Sequence, residues 1–114
     1  MKYVSLPLYN DSDFEYEISL ENNYYTLRLY YNERAEGWFF ELRDGENSML
    51  VAGERLVSLY PINLYYNIPD LTGFLWLEPI GSNINETVIN PFYLSQYYRL
   101  YYIRFEESEL LGTT

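Results

Sequence analysis

Two acidic strings are the first residues whose types could do chemistry. Asp11-Ser12-Asp13 and Asp44-Gly45-Glu46-Asn47 gather oxygen donors as a calcium loop does. A helix–loop–helix calcium site needs ligands at alternate positions, a central glycine and a distal bidentate glutamate. Neither string has that pattern, so both read as turns. Glu41, Glu54 and Glu78 could serve a glycosidase, which works with two carboxylates a few ångströms apart. Nothing in their spacing brings two of them together. Arg99 and Arg104 sit among Tyr97, Tyr98, Tyr101 and Tyr102, a mixture able to stack bases and neutralise phosphate. Pairing with carboxylates across a sheet is the expectation for both arginines. Asn10-Asp11-Ser12 and Asn85-Glu86-Thr87 match the glycosylation acceptor, a short pattern with little meaning where no export signal accompanies it. Glycine-rich phosphate loops are absent.

Composition narrows the chemistry further. The chain has no histidine and no cysteine. That removes the usual general base, the usual metal ligand, thiolate chemistry and the ordinary nucleophile triads. Seven Lys plus Arg against seventeen Asp plus Glu give a net charge of −10, which opposes the cation-driven counterion release that nucleic-acid binding depends on. Nucleic acid and anionic membrane surfaces are therefore not expected as partners. No apolar run approaches the roughly 18 residues that span a bilayer, and MKYVSLPLYNDSD lacks the apolar core of a signal peptide. The expectation is a soluble, unexported, non-enzymatic chain with no catalytic, cofactor-binding or metal-binding residue.

The elements that position these side chains alternate with period two. Phe14, Tyr16, Ile18 and Leu20 share one face against Glu15, Glu17 and Ser19. Glu21-Asn22-Asn23 then supplies turn chemistry, because Asn tolerates left-handed backbone angles. Tyr25, Leu27, Leu29 and Tyr31 oppose Tyr24, Thr26, Arg28 and Tyr30. After the turn 32–37, Trp38, Phe40 and Leu42 are expected in the core, with Phe39 as a surplus aromatic on the other face. Asp44-Gly45 signals a hairpin, and Met49 to Ala52 is the returning strand, closed by Gly53. Pro61 and Pro69 interrupt the next stretch, where Leu64-Tyr65-Tyr66 reads as a short strand or loose turn. Gly73 to Leu77 (GFLWL) is apolar on both faces, which suits a strand covered from two sides. A helical turn is expected around Asn90 to Leu94, with Pro91 at a first helical position, and a last strand over Tyr97 to Phe105. The fold class is all-β: a small antiparallel barrel or sandwich of six or seven strands with little helix. Residues 1–105 form a single domain, near the commonest domain size, and 106–114 an acidic tail.

Fifteen tyrosines exceed what one core of this size hides. Tyrosine adds large contact area at low entropic cost and is enriched at interfaces. The candidate contact residues are Tyr24, Tyr30, Phe39, Tyr65, Tyr66, Tyr97, Tyr98, Tyr101 and Tyr102.

The order of features is also familiar. The chain opens with a strand ending in Leu6-Pro7-Leu8. It continues through Tyr25-Thr26-Leu27-Arg28-Leu29, Tyr31-Asn32-Glu33-Arg34-Ala35 and Gly37-Trp38-Phe39-Phe40-Glu41-Leu42, and ends in Arg99-Leu100-Tyr101-Tyr102. This resembles the baseplate plug proteins of contractile-tailed bacteriophages, small all-β proteins with an IPL-like start, a W-N-x-R-A…W core and a terminal R-L-Y-Y strand. The resemblance runs from about Val4 to Phe105, and Asn-x-Arg-Ala followed closely by Trp is its most specific piece. Tyr31 stands where the family often has Trp, and the Asn-rich loop from Ile80 to Ser95 is longer. The resemblance implies a virion structural role at the tail baseplate, made in the host cytoplasm and present in several copies. Its implied neighbours are the tail tube or tube initiator, the hub and the spike, with further copies of itself. It carries no catalytic residues. Two rival readings need only the residues already named: a carbohydrate-binding module using exposed aromatics, and a hydrolase using Glu41, Glu54 or Glu78.

Overall fold

Among the described residues, period-two alternation builds eight strands, and a single helical turn precedes the last: β1 (Lys2–Leu6), β2 (Asp13–Leu20), β3 (Asn23–Asn32), β4 (Gly37–Asp44), β5 (Met49–Arg55), β6 (Ile62–Asn63), β7 (Phe74–Pro79), α1 (Leu94–Tyr97) and β8 (Tyr98–Arg104). The computed structural model describes residues 2–65, 67–80 and 94–104. The acidic segment 106–114 and the sequence Asn90-Pro91-Phe92-Tyr93 lie outside them.

The strands form two antiparallel four-stranded sheets, in the orders β1-β8-β7-β6 and β2-β3-β4-β5. The second is a run of consecutive hairpins. The first joins residues from the two ends of the sequence, with Lys2 opposite Arg104 and Leu6 opposite Leu100. Their inner faces share one core. Leu6, Leu75, Leu77, Leu100 and Tyr102 come from one sheet, and Leu20, Leu27, Leu29, Trp38, Phe40 and Leu42 from the other. The architecture is therefore a sandwich, and Trp38, Phe40 and Leu42 face inward as their spacing requires.

The β2–β3 hairpin turns through Glu21 and Asn22, both at positive φ (49° and 71°). Two such residues give the tight turn whose twist matches the flanking strands. The β4–β5 hairpin works differently from the Asp44-Gly45 expectation. Asp44 Oδ1 accepts from the N–H groups of Glu46 and Ser48, both at 2.9 Å, and Asn47 rather than Gly45 takes the left-handed angle (φ 66°). Gly53 does not close β5 either. Glu41 pairs with Ala52 while Phe40 pairs with Glu54, so Gly53 is an extra residue in a bulge, and its φ of 81° is one that glycine adopts without a steric cost. Beyond it the ladder resumes with Leu56 N–H donating to Trp38 O at 2.8 Å.

Residues 56–65 and 67–73 form turns around the two-residue β6 and send most of their leucines and isoleucines into the core, while Leu59 stays exposed. Ile68 and Asn67 donate to Leu64 O at 2.9 and 3.2 Å, and Leu56, Ile62, Leu64, Ile68 and Leu71 are buried. The short strand here is Ile62–Asn63 rather than Leu64-Tyr65-Tyr66: Leu64 turns inward, Tyr65 lies in the turn, and Tyr66 is outside the described residues. The helical turn runs over Leu94–Tyr97, so Tyr97 precedes the last strand instead of opening it.

Candidate interaction face

Alternation along β7 and β8 sets one row of side chains in the core and the next row outside. Leu75 and Leu77 point inward; Phe74, Trp76 and Glu78 point outward. Tyr98, Leu100 and Tyr102 point inward; Arg99, Tyr101 and Ile103 point outward. Register then assembles the outer face. Tyr3, Ile103 and Phe74 lie in one cross-strand row, Ser5, Tyr101 and Trp76 in the next, and Arg99 opposite Glu78 in a third. The Tyr3 ring meets that of Tyr101 edge to face, with centroids 5.5 Å apart, and Phe74 meets Trp76 at 6.4 Å. Trp76 Nε1 donates to Glu78 Oε2 at 2.5 Å. Between Tyr3, Trp76, Glu78, Tyr101 and Ile103 lies an open depression of about 260 Å³. Tyr3 remains 68% exposed, and the other aromatics of the face are half-buried.

Among the described residues the GFLWL segment is thus covered on one face. Its inner face packs on the second sheet, while Phe74 and Trp76 stay open to solvent among the described residues. The expected second cover over Phe74 and Trp76 is not found among the described residues.

The outer face of the other sheet has an opposite character. Arg28 donates to Asp13 from Nε at 2.9 Å and Nη2 at 2.6 Å, and to Glu41 from Nη1 at 3.1 Å. Arg43 reaches Glu15 at 3.3 Å. The Arg28 hydrogen bond holds the Asp13 carboxyl below the usual range, against an opposing push from burial. Tyr30 and Phe39 stack on each other at 6.0 Å, with Arg28 over the first ring at 4.5 Å and Arg55 over the second at 4.9 Å. These two aromatics are therefore engaged within the chain. Glu41, tied to Arg28, is on this sheet with Glu54, whereas Glu78 is on the other, so the three carboxylates do not converge.

The remaining expected contact residues divide in four. Tyr24, Tyr65 and Tyr97 are exposed, and Tyr101 belongs to the aromatic face. Tyr98 and Tyr102 are corrections: both are buried in the core, because they share the parity of Leu100 and pack under the second sheet. Tyr66 is outside the described residues. Arg99 donates from Nη1 to the carbonyls of Ser95 (2.9 Å) and Tyr98 (3.0 Å), although Glu78 is its cross-strand neighbour. Residues that the tyrosine count did not single out, Tyr3, Phe74, Trp76 and Ile103, complete the face. The two-sided apolar pattern of GFLWL pointed toward Phe74 and Trp76, and no sequence signal singled out Tyr3 or Ile103.

Among curated proteins no match to the chain is found. The family model described as "Cyanophage baseplate Pam3 plug gp18" matches residues 1–106, nearly the whole sequence, and the chain with its two-sheet sandwich and open aromatic face belongs to that phage baseplate plug family.

Proposed function

We propose that this chain is a non-enzymatic structural component of a contractile phage tail, a plug at the distal end that links the tail tube to the hub or spike. The observation that carries the reading is the outer face of β1, β8 and β7, where Tyr3, Phe74, Trp76, Tyr101 and Ile103 form an apolar surface on a chain of net charge −10. Buried aromatic anchors dominate binding energy in protein interfaces, at about 2 kcal/mol or more for each well-packed ring. A baseplate neighbour with an apolar surface covers these rings and supplies the second cover that GFLWL is patterned for. The interlocked edge-to-face rings make a knobbed surface suited to a protein partner rather than a flat row for a sugar chain. The acidic remainder disfavours contact with DNA passing through the tube. On this reading residues 1–105 form the single structural domain, the 106–114 tail is an appendage, and the mature location is the virion.

The test is imaging of intact virions carrying a labelled chain, with Trp76→Arg and Tyr101→Arg compared with the parent. The parent is expected at the tail tip, and the two variants are expected to fold but not to enter baseplates. A label found elsewhere on the particle, or variants incorporated as well as the parent, would overturn the proposal.

A further inference from the structure

The two sheets have four lateral edges, and three are built so that another strand cannot easily add. β2 alternates Asp13, Glu15 and Glu17 along its outer side. β5 is interrupted by the extra residues Leu50 and Gly53. β6 is two residues long, and β7 beyond it is met by the Ser58–Leu77 bridge and by Leu59 N–H donating to Leu77 O at 3.0 Å. Charges, bulges, short strands and covering loops are the usual guards of sheet edges. β1 carries one charge, Lys2 at its first position, and among the described residues no bulge and no covering loop. Its register with β8 is unbroken, and Tyr3, Val4 and Ser5 are exposed.

Val4 shows what is missing. It heads an inner row that continues through Tyr102, Leu75 and Ile62. Those three are 1%, 1% and 4% exposed, yet Val4 is 46% exposed. An inner-face side chain half in water marks a layer that stops one strand early.

Charge identifies the occupant. Of seventeen acidic residues, none lies in residues 1–10, where Lys2 is the one charged side chain. Two chains of net charge −10 repel each other, and this acid-free strip is where they can approach. The strip is also self-complementary. Antiparallel pairing about Val4 sets Val4 against Val4, Tyr3 against Ser5 and Lys2 against Leu6, so no like charges face each other. Pro7, without an N–H, ends the ladder after Leu6. The arrangement is a closed two-fold, the commonest symmetry of homo-oligomers.

We propose that β1 is a self-association edge, through which two copies of this chain pair β1 to β1 about Val4 and fuse two four-stranded sheets into one of eight. The aromatic outer face then continues from one copy to the next. The pairing is independent of the baseplate reading and is testable on the purified chain.

Because the sequence has no cysteine, a single introduced one reports proximity without background. Residues directly opposite in an antiparallel pair have Cα atoms about 4.5–5.5 Å apart, within the span of a disulfide. Val4→Cys is expected to form a disulfide-linked dimer on mild oxidation, about tenfold more than Tyr24→Cys, as an intramolecular effective concentration dictates. Tyr24 is a fair control because it is 70% exposed on the other sheet. Sedimentation of the parent is expected to show a reversible, concentration-dependent dimer that Val4→Glu abolishes while its circular dichroism is unchanged. Equal cross-linking at the two cysteines, or a parent monomeric at every concentration, overturns the proposal. A dimer that persists in Val4→Glu also overturns it, by placing the contact elsewhere. Should Val4→Glu not fold, the cross-linking comparison decides alone.

Discussion

Glu21 and Tyr102 stand 81 residues apart and meet across the two sheets, the tyrosine hydroxyl donating to Glu21 Oε2. Glu21 is a turn residue held at φ 49°, a position that Asn, Asp and Gly occupy more readily. Its carboxylate explains its presence. It also accepts from Thr72 N–H at 2.8 Å and Thr72 Oγ1 at 2.7 Å, while Gly73 N–H donates to Tyr102 Oη at 2.8 Å. One side chain therefore ties the β2–β3 turn to the start of β7 and to β8. Burial pushes the Glu21 carboxyl up, but the hydrogen bonds from Tyr102 and Thr72 and the nearby charge of Arg104 outweigh it and hold the group below its ordinary 4.5. Burial, reinforced by the bond to Glu21, raises Tyr102 above its ordinary 10.0.

Glu21→Gln is expected to lower stability by roughly 1–2 kcal/mol, the scale of hydrogen bonds to a partly exposed charged acceptor. Glu21→Asn is expected to be destabilised as well, although Asn suits the turn better, because it is too short to reach Thr72. The pH dependence follows from the lowered folded pKa. Such a carboxylate contributes fully above its unfolded pKa, and the contribution disappears as pH falls through the folded value. Urea titrations from pH 7 to 3 are expected to show the parent–Glu21→Gln gap constant at neutral pH and closing below about pH 4.5.

Gly73 is confined by the same contact. A Cβ there would stand 2.4 Å from Ile103 O, 2.7 Å from Tyr102 Cζ and 2.8 Å from Tyr102 Oη. A backbone carbonyl and a buried ring cannot both withdraw, so Gly73→Ala is expected to cost about 2–3 kcal/mol as overpacking. Chemical denaturation gives the measurement, and a cost near zero would show that β7 and β8 separate more easily than their register implies.

Arg28 offers a contrast. It bridges Asp13 and Glu41, but its side chain is 30% exposed and that of Asp13 51%. Ion pairs this wet contribute about 1 kcal/mol or less. Arg28→Met is expected to lose no more than that, and the loss is expected to shrink in concentrated salt, where screening acts over a few ångströms. A salt-independent loss would point to the Arg28–Tyr30 ring contact at 4.5 Å instead.

These residues also mark where the sequence was legible. The strands β2, β3 and β4 carry one-sided patterns, so Phe14 to Leu20, Tyr25 to Tyr31 and Trp38 to Leu42 declare their inner faces at once. The run Tyr97 to Arg104 does not, because it is apolar on both faces and its two charges disagree. Arg99 marks odd positions as outer, Arg104 marks even positions. Register with β7 decides for Arg99, which buries Tyr98 and Tyr102 and leaves Tyr101 outside. Gly53 misled for a related reason: a glycine reads as a stop, and only the pairing with β4 distinguishes a stop from a bulge. The Glu21 tie was invisible, since no local pattern announces a hydrogen bond spanning 81 residues.

The two tryptophans give the aromatic face its own optical report. Trp38 is fully buried beneath Phe14 and Tyr31, while Trp76 lies half-open beside Phe74 on the outer face. Emission of the isolated chain is therefore expected to be the sum of a blue, poorly quenched component and a red one that acrylamide quenches several-fold more strongly. Trp76→Phe is expected to leave only the blue component, with stability within about 0.5 kcal/mol of the parent, as for substitutions on an exposed surface. Aromatic burial by a neighbour changes the second component alone: on assembly with isolated baseplate proteins, Trp76 emission is expected to shift blue and lose its quenching while Trp38 stays as it was. If assembly leaves Trp76 quenchable, the outer face of β1, β8 and β7 is not the covered one, and the contact must be sought among Tyr24, Tyr65 and Tyr97.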